Sequence, residues 1–206
     1  SIIGFLYLVL TNISHSQTDH AFDGQIVLNH IEKQVSLGPR SITMPETKAL
    51  THQYIVNTLS KYTNRLISQP FEYNKLKGNN IWATFPRENK SGTDMRFMLG
   101  AHWDTRPQSE LDDNQKNRDV PSPGANDGGS GVAMLLEIAR ILSMKPAPVT
   151  VDLIFFDLED LGNIDDLPFA IGAEQFVKKN SFYKPDKGII VDMVCDKNLV
   201  DRKSVV

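Results

Sequence analysis

One cysteine, Cys195, stands among 206 residues, which excludes an intrachain disulfide and any zinc site built on several thiolates. Histidine is nearly as scarce: His15, His20, His30, His52 and His102 are all there are, and none follows His102. A metal in this chain would therefore be held by carboxylates and histidine. No apolar run approaches the roughly 20 residues that a membrane-spanning helix needs. There is no basic block either: 22 Lys+Arg face 25 Asp+Glu for a net charge of −3, so the one-sided basic surface of a nucleic-acid binder is excluded. What is present is a hydrophobic fraction of 40%, too high for disorder at so small a net charge. The length fits about one domain.

Ile2–Leu10 is a short apolar run, followed by polar Thr11 and Asn12 and the small residues Ser14 and Ser16. That is the pattern of a signal-peptide core and cleavage site, so residues 1–16 are expected to be a partial export signal and the protein periplasmic or secreted. A buried strand is the alternative. Asn12-Ile13-Ser14 and Asn89-Lys90-Ser91 fit the glycosylation sequon, a short match that arises often by chance.

From residue 22 onward the pattern alternates between helix and strand. Ile26, Val27, His30, Ile31 and Val35 recur at helical spacing behind Asp23, an N-cap residue. Pro45-Glu46 opens a second helix running to about Tyr62. Leu66–Tyr73, Asn80–Phe85 and Arg96–His102 read as strands, with turns at Lys75–Asn79 and Arg87–Thr93. Gly128–Ser143 is apolar nearly all round and is expected to be a buried helix. Val149–Phe156 reads as a strand, Gly172–Asn180 as a helix, and Gly188–Cys195 as an apolar strand buried on both faces. The expected fold is a three-layer α-β-α domain with a mostly parallel or mixed central sheet.

In open α/β sheets ligands bind beyond the carboxyl ends of strands. Polar residues directly after apolar runs therefore deserve inspection: His102 and Asp104 after Phe97–Ala101, Asp157, Glu159 and Asp160 after Leu153–Phe156, and Asp192 after Ile189–Val191. Asp127 lies in Gly124–Gly131, at the mouth of the buried helix. Singly, each has an ordinary explanation, as a core histidine, a turn residue or a solvated acid. Asp192 resists it, because an unpaired carboxylate in a buried strand is costly. Jointly, acids and one histidine at one sheet edge predict a hard-metal or zinc site. The glycines lack a following Lys-Ser/Thr, and Asp127 would repel phosphate, so a nucleotide loop is not expected. Trp103 serves packing or substrate stacking equally well, and the polar loop Gln108–Pro123 is either a lid or a solvated insertion.

His102-Trp103-Asp104-Thr105-Arg106-Pro107, Gly124–Gly131, Phe155-Phe156-Asp157-Leu158-Glu159-Asp160 and Val191-Asp192-Met193 resemble the zinc-dependent exopeptidase superfamily. That superfamily holds secreted-type leucyl aminopeptidases and glutaminyl-peptide cyclotransferases. The segments look most like the bacterial cyclotransferases, as do Phe22-Asp23-Gly24 and Leu37-Gly38-Pro39-Arg40. The resemblance implies a zinc-exopeptidase-like fold acting on peptide or protein N-termini, and conversion of N-terminal Gln to pyroglutamate with release of ammonia. The alternative it implies is a zinc aminopeptidase. A non-catalytic relative would be expected to have lost Glu159 or Asp127.

By position, the resemblance makes Asp127 a metal ligand, bridging where two ions are bound, and Asp160 a ligand of the same ion in a place usually held by Glu. Glu159 becomes the general acid/base. In the two-zinc aminopeptidases His102 and Asp192 would hold the second ion, with Asp104 orienting His102. In the one-zinc cyclases Asp192 would instead hydrogen-bond in the catalytic pocket and His102 would be structural. Both readings call for a further His ligand downstream of Asp192. The expectation is that residues 22–206 are the N-terminal portion of one catalytic domain whose C-terminal part is missing from this sequence.

Overall fold

A computed structural model of the chain describes residues 21–88 and 94–195. The export signal expected at 1–16, both sequons' asparagines and most of the turn at 87–93 lie outside them. Among the described residues no helix is long and apolar enough to cross a membrane. Helix α1 spans Gly24–Leu37 and α2 Pro45–Leu59; strands β1 (Leu66–Tyr73), β2 (Leu76–Phe85) and β3 (Arg96–His102) follow. Then come α3 (Gly129–Met144), β4 (Thr150–Phe156), α4 (Ile171–Lys179) and β5 (Lys187–Ile190). The sheet runs β1-β2-β4-β3-β5. The two outer pairs on the β1 side are antiparallel, while β3 is parallel to both β4 and β5.

The period-two alternation of the strands divides the core into layers. Ile81, Ala83, Phe85, Val151, Leu153 and Phe155 face Ile55 and Leu59 of α2 and Val132, Leu135, Leu136 and Ala139 of α3. Trp82, Ile154 and Phe156 face the other way, onto Phe176 of α4. The expected three-layer α/β domain with a mixed sheet is what forms. As its all-round apolar pattern predicts, α3 is buried along most of its length. Asp23 caps α1, its Oδ1 accepting from Gln25 N at 2.8 Å.

Three expectations are corrected. The turn at Lys75–Asn79 is instead a two-residue hairpin, Asn74-Lys75, with φ of 47° and 70°. Both residues being left-handed is the geometry whose twist matches the flanking strands, so β2 begins at Leu76. Gly78 lies within β2 opposite Phe71, and a Cβ there would sit 2.2 Å from the Phe71 ring. On α1 the buried face is rotated: Val35 is exposed, and Gln34 is buried with its Nε2 donating to Gly129 O at 3.0 Å.

The third correction concerns β5. It covers only Lys187–Ile190, sits at the sheet edge against β3, and leaves Ile189 and Ile190 59% and 57% exposed. A continuous apolar run does not distinguish a strand with two neighbours from one with a single neighbour. Asp192 follows this strand rather than lying within it, and its side chain is 47% exposed. Burial therefore gives no reason to assign it a role; its neighbours do.

Candidate metal centre

His102 and Phe156 end β3 and β4 in register, and Trp103 N donates to Phe156 O at 2.9 Å. The residues that follow both strands thus emerge at one edge. Val191 N donates to Gly100 O at 2.8 Å, which brings Asp192 to the same edge. The turn into α3 delivers Asp127; Gly128 is left-handed at φ 72°, and a Cβ there would lie 2.9 Å from His102 Cε1. Its lack of a side chain lets the turn close onto the imidazole.

His102 Nε2 lies 2.9 Å from Asp127 Oδ1 and 3.4 Å from Asp192 Oδ1, and Nδ1 lies 3.5 Å from Asp104 Oδ1. Ligand atoms of His102, Asp127 and Asp192 all fall within 4.8 Å of one another. The imidazole is buried, yet neither ring nitrogen has a partner in hydrogen-bond geometry. Charges meet here without hydrogen bonds. Orphaned buried nitrogens facing carboxylate oxygens suit a cation taken up among them, and a donor set of imidazole and carboxylate suits zinc.

Asp104 is buried and accepts from Glu159 N at 3.0 Å and Asp160 N at 3.1 Å, so one carboxylate anchors the turn that carries both acids. That turn opens at Leu158, buried and left-handed at φ 54°, a conformation that costs about 1–3 kcal/mol for such a residue. The strain redirects the chain after Asp157, so that Glu159 and Asp160 face the edge. Arg106 Nη1 reaches Asp160 Oδ1 at 3.3 Å while its other nitrogens hold Glu110. Asp127, Asp160 and Arg106 line one cavity of about 330 Å³, walled also by Gln108–Asp112, Ser122 and Pro123. The loop read as lid or insertion is therefore a wall of the site. Trp103 is buried, with Nε1 donating to Asn79 O at 3.1 Å, and packs.

The electrostatics follow from this crowding. Burial pushes Glu159 up to about 7, with Asp104, Asp160 and Asp192 adding to it against the opposing charge of His102. Burial also pushes Asp160 up to about 6, reinforced by Asp127 and Asp104. Burial alone would lower His102, but Asp104, Asp127 and Asp192 outweigh it and push the imidazole up to about 12. The ion pair with His102 holds Asp192 below the usual carboxylate range. Asp104, which burial would raise, is held low by the same imidazole.

A pH dependence of stability follows for chelator-treated protein. Asp160, Glu159 and the buried Asp157, also pushed up to about 6 by burial, all bind protons more tightly folded than unfolded. Groups raised in this way contribute stability that is present below their unfolded values and lost as pH rises through their folded ones. The Tm of the metal-free protein is therefore expected to fall from about pH 4 to about pH 7. The raised His102 continues the decline above its ordinary value, while Asp104 and Asp192 penalise more acidic conditions. Zinc requires deprotonated ligands, so the Tm increment on adding zinc grows over the same interval. Melting curves with chelator and with zinc across this range test both signs; a metal-free Tm that climbs with pH would contradict them.

Sequence reasoning missed the residues behind this layer. Asn126 Oδ1 accepts from Cys195 N and Ser130 Oγ from Val194 N, both at 3.0 Å, which ties the segment after Asp192 to the turn that carries Asp127. Lys48 Nζ lies 2.7 Å from Asp157 Oδ1 beneath Trp103. No spacing signals these pairings, since each joins segments far apart in the chain.

Comparison with known proteins agrees with the fold. Residues 80–201, more than half of the chain, match Peptidase family M28. A crystal structure of glutaminyl cyclase from Tannerella forsythia is 33% identical at a TM-score of 0.74, covering 84% of this chain and 62% of that one. A Zn-dependent exopeptidase from Parabacteroides distasonis is 32% identical at 0.72, covering 84% and 62%. A leucine aminopeptidase precursor from Bacteroides thetaiotaomicron is 31% identical at 0.73, covering 86% and 64%. The chain thus spans less than two thirds of the length of these relatives. On the extent of the family match, this chain belongs to peptidase family M28.

Proposed function

We propose that the protein is a zinc-dependent glutaminyl-peptide cyclotransferase, converting N-terminal Gln of peptides to pyroglutamate with release of ammonia. The observation that carries the reading is the placement of Glu159, next to Asp160 and beside the His102–Asp127–Asp192 cluster, where burial pushes its carboxyl up to about 7; the acid–base role it supports is common to cyclisation and hydrolysis. An acid so poised exchanges protons in both directions at neutral pH. The likeness to a glutaminyl cyclase at 33% identity is compatible with this chemistry, as the likeness to an exopeptidase at 32% and to a leucine aminopeptidase precursor at 31% is with hydrolysis. Export to the periplasm or exterior belongs to the same proposal and rests on the apolar N-terminal run alone.

Asp127 and Asp160 would hold the zinc, with the further histidine that the resemblance implies not found after His102 in this sequence. When bound, zinc supplies a Lewis acid for the side-chain amide carbonyl of the substrate. Glu159 takes a proton from the substrate's α-amine as its nitrogen bonds to the amide carbon. The bond from that carbon to the amide nitrogen then breaks, and Glu159 returns the proton to the departing ammonia. Asp104 keeps Glu159 in place through the backbone N–H it accepts. Asp160 stays on the cation side, steadied by Arg106.

A second reading, a two-zinc aminopeptidase, is favoured by one observation: His102 and Asp192 gather with Asp127 into a second candidate ion site. Glu159 would then deprotonate a water rather than an amine. The test is an assay of the full-length protein on Gln-peptides and on aminoacyl-nitroanilides, with zinc content measured. Pyroglutamate and ammonia at one zinc per chain are expected. Hydrolysis without pyroglutamate, at two zincs per chain, would replace the cyclase by the aminopeptidase.

A further inference from the structure

Arg40, in the segment between α1 and α2, is completely buried, and its partners are carbonyls rather than a carboxylate. Nε donates to Trp103 O at 3.0 Å, Nη1 to Pro123 O at 2.9 Å, and Nη2 to Gly124 O at 2.7 Å and to Asp127 O at 3.4 Å. Its backbone N donates to Thr105 Oγ1 at 2.9 Å, and its carbonyl accepts from Thr105 N. One planar fork thus spans two turns. Trp103 joins the residue that ends β3, His102, to Asp104; Pro123 and Gly124 lead into Asp127.

The glycines of the second turn make room for that fork. At Gly124, with φ of 60°, a Cβ would stand 2.6 Å from Arg40 Nη2 and 2.2 Å from Thr105 Cγ2. At Gly129 it would stand 2.4 Å from Gly124 O and 3.5 Å from the same Nη2. The glycine-rich motif is therefore shaped around a guanidinium as well as around the imidazole. An uncompensated charge so deep is costly. Here the carbonyl dipoles and the negative charges of Asp104 and Asp127 offset it.

We propose that Arg40 is a positioning residue of the metal centre: its fork fixes the separation between the His102–Asp104 turn and the Asp127 turn, and its charge balances the carboxylates gathered there. The inference rests on the reading of this edge as a metal site. Lys cannot replace the fork, because an ammonium offers three donors from one point and does not reach carbonyls on both turns.

The test measures zinc affinity by chelator competition on the full-length protein, with Tm recorded alongside, for Arg40→Lys, Arg40→Met and Asp152→Asn. Asp152 is a buried carboxylate held by Trp82, Thr84, Arg96 and Tyr183, outside the candidate ion site, and serves as the stability control. Arg40→Lys is expected to weaken zinc by about 10–100-fold, the range for residues that orient metal ligands. Arg40→Met keeps none of the donors that hold the two turns, and zinc is again expected to bind more weakly, the lost positioning outweighing the gain a dication makes from the removed positive charge. Asp152→Asn lowers Tm and leaves zinc affinity unchanged. Where neither Arg40 variant folds, Thr105→Val leaves the guanidinium in place and removes the oxygen that holds its backbone; weaker zinc is again expected. Wild-type zinc affinity in the folded variants, or an equal loss in Asp152→Asn, would overturn the proposal. A wild-type protein that takes up no zinc would overturn the metal reading itself, and the proposal with it.

Discussion

Replacing Glu159 with Gln is expected to lower kcat by about 10²–10⁴-fold, the range attributed to a positioned general acid/base, while zinc content and Tm hold. The geometry separates these effects. Glu159 is fixed through its backbone N–H, which Asp104 Oδ1 accepts at 3.0 Å, so the amide side chain leaves the turn intact. The left-handed Leu158 that aims the turn is likewise untouched. Burial raises the Glu159 carboxyl to about 7, so a neutral side chain of the same shape relieves a desolvation cost near neutrality. Stability above that pH should rise or stay level. The measurement is kcat on Gln-peptides and on aminoacyl-nitroanilides, with zinc content and a melting curve of the same sample. A variant that keeps wild-type kcat on its preferred substrate would remove Glu159 from the mechanism under either reading.

The edge that carries the chemistry was legible because its logic is local to each strand. Arg96–His102 has the predicted bounds, and the residues following it and β4 lie together because parallel strands in register end together. The same rule picks out Asp192 after β5, while Asp127 is picked out by its place at the mouth of the buried helix; their ligand atoms converge with that of His102. Burial of β5 was not legible. Ile189 and Ile190 satisfy a core pattern, but exposure depends on which strands lie alongside, and hydropathy does not encode that. The Asn74-Lys75 hairpin was missed because the turn reads as Lys75–Asn79, a stretch that contains Gly78, whose smallness in fact serves the Phe71 ring across the ladder.

Arg40, Asn126 and Ser130 lie in segments that the resemblance covers, but their supporting roles were hidden for a different reason. Arg40, Lys48, Asn126 and Ser130 act through carbonyls, carboxylates and N–H groups that come from remote segments; Arg40 reaches from before α2 to Gly124. A motif identifies the groups that touch a ligand, since chemistry restricts their type. What holds them admits many residue types and is set by packing, so the pattern carries little trace of it.

Asp127→Asn tests the centre most severely, because both candidate ion sites share this carboxylate. Its Oδ1 is the oxygen nearest His102 Nε2, at 2.9 Å, and it lines the cavity with Asp160. Zinc affinity is expected to fall by more than about 100-fold, beyond the range for residues that only orient a ligand. In metal-free protein two consequences oppose each other. Asp160 loses the like charge that helps hold it near 6, while His102 loses one of the carboxylates that keep it protonated. The metal-free Tm should therefore move little. The zinc-dependent increment should not survive: a ligand at 100 times its Kd contributes about 2.7 kcal/mol, and about 2–4 °C of Tm accompanies each kcal/mol at this size. Wild type should therefore gain about 5–11 °C with zinc and Asp127→Asn almost nothing. Melting curves with and without zinc make the comparison, and an Asp127→Asn protein that keeps the wild-type increment would place the ion elsewhere in the molecule.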